Sequence, residues 1–153
     1  FMDSIRIDTG VKRIAINGDP TRVIEFNPKD VLFAEKYYQM VGEFQSKQED
    51  YSTRAEVLEA DAEVDEIGLP LNTQERLALF REICDWTKEK IDQVFGAGTS
   101  EKAFGEALNF DMFVQFFEGV KPFIEESRSE KVQKYSKVVA DRKKIESDKA
   151  IMD

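Results

Sequence analysis

Leu77, Phe80, Cys84, Thr87, Ile91 and Val94 step along the chain by three and four without interruption, which is the rhythm of one helix face and not of a strand. Start and stop signals bracket the seam. Asn72-Thr73-Gln74-Glu75 supplies capping residues and an early acid, and Gly96-Ala97-Gly98 supplies a terminator, with Gly96 placed for a left-handed cap. A helix over 72–95 is therefore required, and its apolar stripe must find cover elsewhere in the chain.

Upstream, Asn27-Pro28-Lys29-Asp30 stops one element and starts another, with Asn27 as the expected N-cap and Pro28 at the first helical position. Phe33, Tyr37, Met40, Phe44, Tyr51, Ala55, Leu58 and Ala62 then mark a long helix over 28–66, with Gly42 or Ser52-Thr53 as weak points. Ile67-Gly68-Leu69-Pro70-Leu71 ends it. Before it, the period is two: Ile5 and Ile7, then Val11, Ile14 and Ile16, then Val23, Ile24 and Phe26, punctuated by Thr9-Gly10 and Asn17-Gly18-Asp19-Pro20. This predicts a β-hairpin or three short antiparallel strands. A ribbon so small is marginal alone and needs a helix, or another subunit, beneath it.

Beyond Gly98, Thr99-Ser100 opens a short helix to Phe104, and Asn109 or Asp111 opens the last long one, which Pro122 is expected to kink or restart. The fold class is α+β, mostly α: an N-terminal ribbon followed by three long helices and one short helix. One globular domain spans 4–125, comprising the 4–27 ribbon, the 28–66 helix, the 72–95 helix and a 99–125 segment holding the short helix and the start of the last. Residues 126–153 form a charged helical extension, in which Arg128 to Asp153 carry eight cations against five anions.

Charge excludes several functions. The net charge of −9 and pI near 4.7 argue against holding a nucleic-acid backbone, which needs clustered cations, and against an anionic membrane surface. No stretch is apolar for the roughly 18 residues that crossing a bilayer takes. Histidine is absent, removing the commonest general base and metal ligand. Nine carboxylates between Glu43 and Glu66 face only Lys47 and Arg54, yet a calcium loop counted from Asp61 would need glycine and glutamate where Glu66 and Asn72 stand. A solvated acidic face accounts for them. The lone Cys84, set among Leu77, Phe80 and Ile83, reads as a small core residue. Gly96-Ala97-Gly98-Thr99-Ser100 follows a helix and lacks the lysine of a phosphate loop, so it reads as helix punctuation. No catalytic residue, cofactor or metal ligand is expected.

What remains is aromatic. Phe95, Phe104, Phe110, Phe113, Phe116, Phe117 and Phe123 fall within one short stretch. Adjacent phenylalanines at 116 and 117 make a face wider than one neighbouring helix covers. Phe110, Phe113, Phe116, Phe117 and Phe123 are accordingly the expected partner-binding residues, for a protein partner or a second copy of the chain.

Several pieces then carry a resemblance. They are Ile14-Ala15-Ile16-Asn17-Gly18, Glu25-Phe26-Asn27-Pro28 leading into Phe33-Ala34-Glu35-Lys36-Tyr37-Tyr38, and Ile91-Asp92-Gln93-Val94-Phe95-Gly96 with Gly98-Thr99-Ser100 and Phe104-Gly105. Met112-Phe113, Phe116-Phe117 and Pro122 complete the set. Together, from about Ile5 to Tyr135, the chain resembles tail assembly chaperones of phages and prophages of Gram-positive bacteria. The resemblance implies a non-enzymatic helical protein in the bacterial host's cytoplasm that keeps a long tape-measure protein soluble while tail-tube subunits polymerise around it. The acidic middle and the basic extension depart from that pattern. They leave room for two alternatives: an acidic inhibitor of a host defence nuclease, imitating nucleic acid, and a structural tail or connector subunit.

Overall fold

A computed structural model describes the backbone of residues 2–152, and the side chains of 2–128, 137, 140 and 142–146. Two antiparallel strands, β1 (Lys12–Ile16) and β2 (Asp19–Phe26), precede α1 (Val31–Ala60), α2 (Thr73–Phe95), α3 (Thr99–Phe104) and α4 (Phe110–Met152). The fold is α+β and mostly helical.

The hairpin forms because Asn17 and Gly18 both accept positive φ, 53° and 70°, the requirement of a two-residue turn whose twist matches the strands. Register pairs Lys12 with Phe26 and Ile14 with Ile24, with an irregularity at Ala15/Ile16. Ile24 and Phe26 point inward and are buried, while Arg13 and Glu25 pair across the outer face at 2.9 Å. Residues 2–11 do not form a third strand in this structure.

Helix α1 starts at Val31, three residues later than the spacing predicts. Asn27 closes a turn instead of capping: its Oδ1 accepts from the Lys29 amide at 3.1 Å, and its carbonyl accepts from the Asp30 amide, also at 3.1 Å. Asp30 is the N-cap, its carboxylate accepting from the Leu32 amide at 2.9 Å. The helix also ends early, at Ala60 and not Glu66. Asp61 and Asp65 accept from the amides of Glu63 and Ile67, two residues on, at 3.2 and 3.0 Å, and such local bonds compete with helix. The C-terminus of α1 is closed from outside, the Leu58 carbonyl accepting from Asn72 at 2.8 Å and from the Arg76 guanidinium at 2.9 Å. A cation there also suits the helix dipole.

The predicted seam of α2 is covered only in part. Cys84, Thr87 and Ile91 are buried and Val94 is half-buried, but Leu77 and Phe80 are exposed and Leu79 is buried in their place. Toward its N-terminus α2 turns Leu79 to Val57 and Leu58 of α1, while Phe80 lies against Phe110 with ring centroids 5.2 Å apart.

Helix α4 neither ends nor restarts at Pro122. The missing amide leaves the Glu118 carbonyl without its helical donor, a tolerable loss because both residues are exposed to water. Its 43 residues make it roughly 65 Å long at about 1.5 Å per residue. The side chains of Val132, Tyr135, Val138 and Val139, which mark the extension in sequence, lie outside the described residues.

The core gathers Ile24, Phe26, Phe33, Cys84, Ile91, Phe95, Phe113, Phe116 and Val120. Phe95 is its hub, its ring standing edge-on to Phe26, Phe33 and Phe116 at 5.2, 5.4 and 5.1 Å. Near Pro122, the buried Ser127 hydroxyl donates to the Pro28 carbonyl at 2.8 Å and ties α4 to the turn before α1. Ser127→Ala should therefore cost about 1–2 kcal/mol, since it strands a buried carbonyl, read as a lower urea midpoint with an unchanged slope. A midpoint equal to that of the native chain would show the bond to be dispensable.

Candidate functional site

Two apolar stripes face each other across an open groove of about 860 Å³. On α1, Tyr37, Met40, Phe44, Gln48 and Tyr51 recur at helical spacing. On α4, Phe110, Phe113, Val114, Phe117 and Lys121 do the same, and Ile83, Trp86 and Thr87 of α2 lie between them. Edge-on aromatic contacts hold the walls: Phe44 stands 5.0 Å from Trp86 and 5.7 Å from Phe117, with Tyr51 6.4 Å from Trp86. Such pairs are favourable and geometrically specific, so the groove is built before any ligand arrives.

Cations edge the aromatic wall. The Lys47 and Lys90 ammonium groups sit 6.0 and 5.7 Å from the Trp86 ring centroid, within the range of a cation–π attraction. Lys90 also bonds Glu43 at 2.7 Å, and Arg54 forks onto both carboxylate oxygens of Glu82. Burial raises the Tyr37 and Tyr51 phenols above their ordinary value, so both stay neutral at pH 7.

The two ion pairs make an acid-sensitive clasp between α1 and α2. The hydrogen bond from Lys90 holds Glu43 below its ordinary 4.5, and the bond from Arg54 does the same for Glu82. A carboxylate whose pKa is depressed by folding contributes stability above the unfolded value and loses it as pH falls through the folded one. The native chain should therefore melt higher than the Glu43→Gln/Glu82→Gln variant at neutral pH, and that gap should close as pH drops below 4.5. A gap that is constant down the acid limb would remove the pairs from the account.

The five predicted partner residues divide. Phe113 and Phe116 are core, buried to 5% and 8% exposure; this corrects the expectation that they form a free docking face. The reason is that Phe104 of α3 meets both rings, at 5.0 and 5.5 Å. Phe113 still backs the groove. Phe110 and Phe117 line it, the first exposed and the second half-buried. Phe123 packs half-buried against the core, away from the groove.

Trp86 escapes the sequence reading altogether. Its signal is a second period, Leu79, Ile83, Trp86 and Lys90, one step around α2 from the seam that dominates the pattern.

In the glycine-rich turn the two hydroxyls and the Ser100 amide are already engaged within the chain. The Ser100 amide and hydroxyl both donate to the Asp92 carboxylate, at 2.8 and 2.9 Å, and the Thr99 hydroxyl donates to the Gly96 carbonyl at 2.7 Å. Burial pushes the Cys84 thiol up, away from the reactive thiolate. Among the described residues, no group of three or more histidine, cysteine, aspartate or glutamate side chains could hold a metal ion, and no helix is long and apolar enough to cross a membrane.

No curated protein and no solved structure matches the chain. Residues 21–147 do match a family described as a family of unknown function, DUF6673. That span runs from within β2 deep into α4 and takes in every residue of the groove, so the chain belongs to the DUF6673 family.

Proposed function

We propose that this is a non-enzymatic binding protein that takes the apolar face of a partner's amphipathic helix into the groove between α1, α2 and α4. The partner is a long helical protein held soluble during assembly, in the manner of the phage tail assembly chaperones that the chain resembles, and the setting is the host cytoplasm. One observation carries the reading: the groove is apolar and pre-formed, yet Val114 in its wall is 53% exposed and Phe110 at its end 38%. Helix-in-groove recognition needs such a slot, filled by anchors at i, i+3, i+4 and i+7. The charge of −9 keeps a protein with so much exposed apolar surface dispersed.

Part of the acidic stretch is engaged within the chain. Glu43 is paired with Lys90, Asp50 lies 3.7 Å from Arg54, and Asp65 is folded into its own loop, accepting from the amides of Ile67 and Leu69. That arrangement favours the groove over nucleic-acid mimicry.

Co-expression with a phage tape-measure protein, the partner class proposed here, tests the reading. The native chain should bring that protein into the soluble fraction, and a chain carrying Phe110→Ser and Val114→Asp should not. These positions suit the test because changing Phe116, in the core, would unfold the chain. Equal rescue by both chains, or by neither, would overturn the proposal.

A further inference from the structure

The N-terminal arm has the sequence of a strand, yet residues 2–11 pair with no strand among the described residues. Ile5 and Ile7 alternate with Ser4, Arg6 and Asp8, yet they stand 85% and 72% exposed. The root of the arm is fixed. The Asn27 side-chain Nδ2 donates to the Thr9 carbonyl at 2.6 Å, and the Gly10 backbone amide donates to the Asp8 carboxylate at 2.9 Å. Gly10 has φ +91°, and any Cβ there would meet the Lys29 side chain at 2.9 Å. The arm is thereby led past the C-terminal end of β2 and not back along β1 of its own chain.

The ribbon meanwhile has one open edge. β2 is flanked by α3, the Arg22 guanidinium donating to the Lys102 and Ala103 carbonyls at 2.8 and 2.9 Å. Among the described residues, no backbone hydrogen bond leaves the outer edge of β1. Between the inner face of the ribbon and α4 lies a cleft of about 430 Å³, lined by Ile14, Ile16, Phe104, Met112, Gly119 and Val120 among others. A strand added at β1 would send alternate side chains toward that cleft and the others to solvent. Ile5 and Ile7 are spaced by two, as that requires.

We infer that the arm of a second copy pairs with the open edge of β1 and lays Ile5 and Ile7 into the cleft between the ribbon and α4, so that the chain self-associates by strand exchange. Main-chain bonds supply the attraction and the alternate isoleucines the register. An open edge and an unpaired apolar strand are both aggregation liabilities, and one contact removes both. The surface lies outside the helix groove and does not depend on what the groove binds.

Mass in solution and directed cross-linking test this together. The native chain should run at twice its 17.6 kDa or more, and Ile5→Asp/Ile7→Asp should halve that mass or lower it further with the helical circular dichroism unchanged. A chain bearing Ile5→Cys mixed with one bearing Gly119→Cys should give a disulfide-linked heterodimer; no atom lies within 4 Å of the added Cβ at Gly119. A monomeric native chain, a doubly substituted variant of undiminished mass, or a cross-link that forms only within a chain carrying both cysteines would each overturn the proposal.

Discussion

Replacing Phe95 with alanine should destabilise the protein by about 3–5 kcal/mol and lower its melting temperature by roughly 6–20 °C. The size follows from position. Phe95 is 3% exposed and its ring meets Phe26 of β2, Phe33 of α1 and Phe116 of α4, so one truncation opens a cavity where three elements converge on α2. Each edge-on pair adds about 0.5–1.5 kcal/mol beyond the area it buries. Against a total of roughly 5–15 kcal/mol for a native protein, the loss removes a large share of the margin. Phe80, on the same helix but half out in water, serves as control, and Phe80→Ala should cost about 1 kcal/mol or less. Equal melting temperatures for the two variants would show that the hub is misplaced.

Val114→Asp should have the opposite profile, leaving the free protein almost unchanged and crippling the complex. The side chain is exposed on α4, where surface substitutions stay within about 0.5 kcal/mol. Once a partner helix closes the groove, the new carboxylate is desolvated among Phe110, Phe113 and Phe117, at a cost of several kcal/mol. An expected loss of about 3 kcal/mol raises Kd by roughly a hundredfold or more. Val114→Ala keeps the wall apolar and should lose far less. A Val114→Asp chain that binds as tightly as the native one would place the partner elsewhere.

The helices were legible in the sequence because amphipathic spacing survives whatever they pack against. Which flank of each stripe is covered was not, since that depends on crossing geometry and not on period. Leu77, Leu79 and Phe80 show the difference: the spacing favoured the first and last, whereas α1 covers the middle one. The same ambiguity hid Trp86, which sits one step off the main seam, and made core residues Phe113 and Phe116 look like docking aromatics. The early end of α1 had a local cause that was readable in principle, since Asp61 and Asp65 are spaced to bond their own backbone. The two-residue alternation at Ile5 and Ile7 points to a third strand, yet residues 2–11 form none, because alternation carries no information about a pairing partner. Phe110 and Phe117 line the groove opposite Phe44 and Tyr51 of α1, a juxtaposition that the sequence does not show because long-range pairing of α1 with α4 leaves no mark on local spacing.

Trp86 is the sole tryptophan of the chain and lies in the groove, so its emission reports directly on whether that groove is filled. Titrating the chain with amphipathic helical peptides of the kind proposed to dock here, such as segments of a phage tape-measure protein, should shift the emission to the blue in a saturable way, with the shift lost in Val114→Asp. A peptide that binds by calorimetry while leaving the Trp86 spectrum unchanged, or the absence of binding by every segment, would contradict the groove as the docking site.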